Sequence, residues 1–126
     1  MLIADDDSRF RETLRSIFEP HFLTLEAESG EEAIEIAESE PLDIALLDMH
    51  MHIMTGLETL RILKSVHLLL PCILITADAT EELRQKATKA EAYSVLKKPI
   101  RKMELVLTVS AALELPSDGD WSMPFN

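Results

Sequence analysis

The sequence predicts an α/β protein built on a doubly wound, five-stranded parallel sheet in the order 2-1-3-4-5, with helices on both faces. Three observations predict it. Short apolar runs alternate strictly with longer amphipathic ones, five of each, along the 126 residues. The first, third and fourth apolar runs are nearly free of polar side chains, as strands covered on both faces must be. The second and fifth carry Thr24, Glu26, Tyr93 and Ser94 and belong at the edges. Right-handed crossovers then favour the stated order.

Each element has its own justification. Leu2 to Ala4 is a short apolar strand that runs into Asp5-Asp6-Asp7. Phe10, Leu14, Ile17 and Phe18 share one face at helical spacing. Phe22 to Ala27 is a second, more polar strand. Ser29-Gly30-Glu31-Glu32 has the form of a capping box and opens a helix carrying Ala33, Ile34, Ile36 and Ala37. Leu42 to Leu47 is a third strand, ending at Asp48. A second capping box, Thr55-Gly56-Leu57-Glu58, opens a helix with Leu57, Leu60 and Leu63. Cys72 to Thr76 is the fourth strand. Asp78 or Thr80 can cap a short helix with Leu83 and Ala87. Ala92 to Leu96 forms the fifth strand, and Leu105, Val106, Val109, Ala112 and Leu113 line the last helix. This is flavodoxin-like architecture, whose ligands bind at the carboxyl ends of the strands.

Composition narrows the function. With 47% hydrophobic and 28% charged residues the chain is globular, and its length suits one domain. A net charge of -11 repels phosphate backbones and anionic lipid, so direct nucleic-acid binding and membrane binding are not expected. One cysteine, Cys72, excludes a disulfide framework and multi-cysteine zinc sites, and reads as core packing. Three scattered glycines exclude a Gly-rich nucleotide loop. No secretory signal pattern opens the sequence, and the run Val66 to Ile75, broken by His67 and Pro71, is far short of the ~20 residues that span a bilayer. A cytoplasmic location is the expectation.

The strand ends gather the chemistry. Asp5 and Asp6 follow the first strand, Asp48 ends the third, Thr76 ends the fourth, and Lys98 follows the fifth. In the predicted order these side chains converge on one rim. Carboxylates about 4 Å apart repel by roughly 4 kcal/mol per pair at an effective dielectric of about 20. Cationic charge must offset that. Lys98 supplies one charge, and an all-oxygen ligand set suits a hard divalent ion, Mg²⁺ before Ca²⁺. A carboxylate beside such an ion can act as a nucleophile and form an acyl phosphate. The Met49-His50-Met51-His52-Ile53-Met54 run has soft-metal residue types, but reads as alternating side chains in a loop beside this rim.

The residues Leu2-Ile3-Ala4-Asp5-Asp6-Asp7, Leu46-Leu47-Asp48-Met49-His50-Met51, Gly56, Ile75-Thr76-Ala77 and Lys98-Pro99, in that order and at strand ends, resemble the receiver domain of two-component response regulators. The resemblance covers residues 1 to about 114. It implies that Asp48 is the phosphoacceptor, charged by a histidine kinase. It implies Mg²⁺ held directly by Asp6, Asp48 and the backbone carbonyl of His50, with Asp5 acting mainly through water. Lys98 would pair with the phosphoryl group, and Thr76 and the Ala77 amide would donate to its oxygens. The Lys98–Pro99 peptide is expected to be cis. Three positions depart from the family pattern: His52 replaces a common proline, Val95 stands at the aromatic switch position, and Glu91 replaces a common glycine.

The reading is thus a receiver domain over 1–115, followed by a tail or linker remnant over 116–126. It acts as a switch in a histidine-to-aspartate relay. It is not an enzyme beyond its own Mg²⁺-dependent phosphorylation and dephosphorylation. Its partners are a sensor histidine kinase or phosphotransfer protein, and a downstream protein or an output domain lost from this chain. One rival is an Mg²⁺-dependent aspartyl phosphatase, which needs a second acid two residues after its nucleophile, where His50 stands. The other is a non-phosphorylated adaptor of the same fold, which needs a missing acceptor or lysine.

Overall fold

The computed structural model describes residues 1–115, so the tail expected over 116–126 lies outside the described residues. Five strands, β1 (Leu2–Ala4), β2 (Leu25–Ala27), β3 (Ala45–Asp48), β4 (Cys72–Thr76) and β5 (Ser94–Lys97), alternate with five helices. The helices are α1 (Ser8–Phe18), α2 (Gly30–Ser39), α3 (Gly56–Val66), α4 (Glu81–Lys89) and α5 (Lys102–Leu113). All strand pairs are parallel and the order is β2-β1-β3-β4-β5, as the sequence predicts.

Strand ends differ from the sequence expectation, each for a local reason. The second strand begins at Leu25 rather than Phe22, because the Phe22 amide is spent on the Phe18 carbonyl (2.8 Å) in the turn that closes α1. The third reaches Asp48, which pairs in register with Ile75, and starts only at Ala45. The fifth starts at Ser94, since the Ala92 amide bonds to the Ala87 carbonyl (2.9 Å) where α4 ends.

Alternation along the strands fills two cores. Leu2, Ala4, Ala45, Leu47, Cys72 and Leu74 pack with residues of α2, α3 and α4, among them Ala33, Ala37, Leu60, Leu63 and Ala87. Ile3, Ile44, Leu46, Ile73, Ile75 and Leu96 pack with Leu14 and Phe18 of α1 and Leu105, Val106 and Val109 of α5. Each fully buried aliphatic side chain contributes about 1.5–3 kcal/mol of transfer free energy, so central strands with two covered faces carry the stability. Cys72 is fully buried, as expected, and burial pushes its thiol up to about 11.

The capping signals are partly realised. Thr55 and Glu58 form the full reciprocal box at the start of α3. Ser29 accepts from the Glu32 amide (3.1 Å), but no return bond from the Glu32 side chain forms, so α2 has half the box. Of the two candidates for α4, Thr80 is the cap. Asp7 caps α1. No described helix is long and apolar enough to cross a membrane.

Candidate functional site

The strand order has a switch point between β1 and β3, where one connection leaves toward α1 and the other toward α3. The crevice this opens at the carboxyl ends is where the acidic residues stand. Asp5, Asp6 and Asp48 each place a carboxylate oxygen within 4.8 Å of the others. Asp5 and Asp48 are buried, and Asp6 is exposed. Among the described residues this is the one group of three or more His, Cys, Asp or Glu side chains close enough to share an ion. The Met–His run makes no such set: Met51 is buried in the core, and His50 and His52 are exposed.

Local bonds fix the carboxylates. The Asp7 amide donates to Asp5 Oδ1 (2.8 Å), and the His50 amide donates to Asp48 Oδ2 (3.1 Å). The other oxygen of each, Asp5 Oδ2 and Asp48 Oδ1, is buried and receives no aligned hydrogen bond. The Lys98 ammonium approaches both, 2.8 Å from Asp48 Oδ1 and 3.6 Å from Asp5 Oδ2. Lys98 follows β5, and its peptide bond to Pro99 is cis, as expected. Gly56, at the start of α3, has no Cβ because one there would overlap the Asp48 carbonyl. That contact seats α3 directly against the strand end.

Electrostatics follow from this crowding. Burial raises the Asp5 pKa, and the neighbouring Asp48 and Asp6 charges add to the rise against the Asp7 amide and Lys98. Burial alone would lower the Lys98 ammonium, but Asp48 and Asp5 together outweigh it and raise its pKa. Two buried acceptors facing one cation leave capacity for a further positive ligand. The donor set, oxygen only and acidic, fits a hard divalent metal ion.

Thr76 is fully buried at the end of β4 and its Oγ1 accepts from the Asp78 amide (3.1 Å). The His50 ring lies over it, with Nε2 at 3.4 Å from Thr76 Oγ1 and 3.9 Å from Asp78 Oδ2. Ala77 is exposed at the mouth of the crevice. Asp5, Asp6, Asp48 and Lys98 are therefore drawn together directly, and Thr76 borders them through the His50 segment.

Two neighbours escape a reading of the sequence. Arg11 of α1 is buried, donates from Nη1 to the Asp5 carbonyl (2.6 Å) and from Nε to Glu26 Oε1 (3.1 Å). Its position on the Leu14–Phe18 face was the available signal. Phe10 lies under Lys98, whose ammonium is 4.2 Å from the ring centroid. No sequence signal marks that contact, because it depends on how closely α1 approaches the segment after β5.

A parallel α/β domain with a carboxylate cluster and a lysine gathered at the carboxyl ends of its strands is the arrangement that the resemblance to receiver domains predicts. The chain belongs to the response regulator receiver domain family, which matches residues 1–110, and is a receiver domain of two-component systems. It is 32% identical over 114 residues to the chemotaxis protein CheY of Halobacterium salinarum, covering 90% of this chain and 95% of that one. It is equally identical to the transcriptional regulatory protein CpxR of Escherichia coli K12 and to a cyclic di-GMP phosphodiesterase of Thermotoga maritima. Of these it spans only 48% and 30% of the length, respectively. Among solved structures, the signal receiver domain of an HD domain-containing protein from Pseudomonas fluorescens Pf-5 superposes with a TM-score of 0.85 at 26% identity, covering 90% of this chain and 92% of that one.

Proposed function

We propose that Asp48 takes a phosphoryl group from a phosphohistidine of a sensor kinase or phosphotransfer protein. The phosphorylated domain then acts on a downstream protein or on an output domain. The observation that carries this reading is the Asp48 carboxylate paired at 2.8 Å with Lys98 inside a cluster of three aspartates.

In this reading Asp6, Asp48 and the His50 carbonyl would hold Mg²⁺, with Asp5 acting through water, and the ion would supply charge neutralisation for the phosphoryl group. A carboxylate oxygen of Asp48 attacks phosphorus. The phosphorus–nitrogen bond breaks, its electron pair stays on the donor imidazole, and Asp48 becomes an acyl phosphate. The Lys98 ammonium offsets the charge that spreads over the transferring group. Thr76 Oγ1 already accepts from the Asp78 amide, which leaves its own hydrogen for a phosphoryl oxygen, and the Ala77 amide is a second donor. The chemistry is confined to the domain's own phosphorylation and its reversal, and the domain spans residues 1–115.

Incubation with acetyl phosphate and Mg²⁺ followed by intact-mass measurement tests the reading. One phosphoryl adduct is expected on the wild type and none on Asp48→Asn, whose circular dichroism stays unchanged. An adduct that persists in the variant overturns the assignment. Repeated turnover of a phosphate ester would favour the phosphatase.

A further inference from the structure

Phe10 reads in the sequence as one more core position of the first helix, and its body does pack on the core between the sheet and α1 and α5. Its face, however, meets the Lys98 ammonium at 4.2 Å. The ammonium thus has three attractors: Asp48 Oδ1 at 2.8 Å, Asp5 Oδ2 at 3.6 Å, and the ring. Two of the three are carboxylates that a divalent cation would claim. A cation bound there takes up the negative charge that holds the ammonium and adds positive charge beside it. The attraction of the ring is electrostatic too, but it arises from the quadrupole of the π system and does not depend on those carboxylates. A lysine side chain has four rotatable bonds, and without a restraint its ammonium samples other rotamers.

We propose that Phe10 is a positioning residue: its ring holds the Lys98 ammonium at the phosphoryl site while the carboxylates are engaged by the metal. The proposal rests on Asp48 being the phosphoacceptor. The geometry suits it, because α1 begins at Ser8, directly after the aspartates, so ring and carboxylates share one short framework. An aliphatic residue at position 10 would fill the same core volume without offering a π face.

The test separates the ring's electrostatics from its shape. Phe10 alone is replaced in the full chain by mono-, di- and trifluorinated phenylalanine, which withdraw electron density stepwise at nearly constant shape. The rate of Asp48 labelling by phosphoramidate in saturating Mg²⁺ should fall stepwise along the series. The trifluoro ring and Phe10→Leu should lie about two- to tenfold below wild type. Unfolding midpoints along the fluorinated series should stay level. A second readout involves no chemistry: the Lys98 Hε resonances should be shifted upfield by the ring current, with and without Mg²⁺, and relax downfield in Phe10→Leu. A labelling rate that is flat along the series, or an upfield shift that vanishes when Mg²⁺ is added to the wild type, overturns the proposal. Failure of the wild type to take any adduct strikes the phosphoacceptor reading instead, and the resonance measurement still decides the contact.

Discussion

Among the described residues, three that are not glycine have left-handed backbone: Ile53 at φ 72°, Glu91 at φ 66° and Glu114 at φ 56°. Ile53 is β-branched, exposed, and sits in the loop between β3 and α3. Left-handed geometry costs an L-residue roughly 1–2 kcal/mol, and more when the side chain is branched at Cβ. Glu91 stands where the family commonly has glycine, and its φ is one that glycine adopts without strain. Ile53→Asn and Glu91→Gly should each therefore raise the unfolding free energy by about 0.5–1 kcal/mol in urea titrations, with circular dichroism unchanged. Asp5 carries a different strain. Its carboxyl ionises less readily in the folded protein, so the folded state holds that proton to higher pH than the unfolded chain does. Stability from this group is complete below the unfolded pKa and declines as pH rises through the folded one. Lys98, also raised, stabilises the fold below its ordinary 10.5 and ceases to do so as pH passes its folded value. In metal-free buffer at neutral pH, Asp5→Asn should gain about 0.5–2 kcal/mol, the usual return for relieving a functional charge. The gain should vanish near about pH 3, where the wild-type carboxyl is protonated in both states. A pH-independent gain would locate the strain elsewhere.

Among the helices, α4 is the least anchored. Ala87 is its one buried residue, with Leu83 partly buried against the core, whereas α3 buries Gly56, Leu57, Thr59, Leu60 and Leu63. Helices with few buried contacts open at low free energy and are the ones available to move. The loop from Ala77 to Thr80 ties α4 to the site, since the Asp78 amide bonds to Thr76 Oγ1 and Thr80 caps the helix. Val95, at the switch position of β5, is partly buried against the core and stiff at χ1, so it makes a poor lever. Amide exchange should be faster in α4 than in α3 by about tenfold or more, corresponding to at least 1.4 kcal/mol of lower opening energy. Adding a phosphoryl mimic should change protection in 77–89 and leave β5 nearly unaltered. Thr76→Ala should erase that response, and Val95→Ala should preserve it. Protection changes concentrated in β5 would refute this route.

At the scale of the whole molecule, a chain of net charge -11 folds with three of its carboxylates clustered at one end of its sheet. A divalent ion held by that cluster would relieve the repulsion. A ligand that binds only the folded state stabilises it by about 2.7 kcal/mol at a hundredfold excess over its Kd. Mg²⁺ should therefore raise the unfolding midpoint of the wild type. The shift should be smaller in both aspartate variants, and smaller in Asp6→Ala than in Asp5→Ala, because Asp6 is the direct ligand by resemblance. Calorimetric Mg²⁺ titrations check the order, and equal losses would contradict it.

The sequence by itself determined the strand order and both edge strands. Two-sided burial writes itself into apolar runs such as Leu46-Leu47 and Ile73-Leu74-Ile75, and strict alternation of strand and helix leaves few topologies. It also determined that Asp5, Asp6, Asp48, Thr76 and Lys98 share one end, since each closes or follows a strand of a parallel sheet. What happens between elements was decided only by the tertiary structure. The ends of β2 and β5 depend on whether Phe22 and Ala92 spend their amides on the neighbouring helix turn. Glu32 has the right residue type for its box yet leaves it half made, because a side-chain bond needs a rotamer as well as a spacing. Arg11 under Asp5 and Phe10 under Lys98 are contacts between segments far apart or on different elements. Periodicity tells which face of a helix is buried, but it does not say which partner lies across from it, and at this site that partner sets the charge balance.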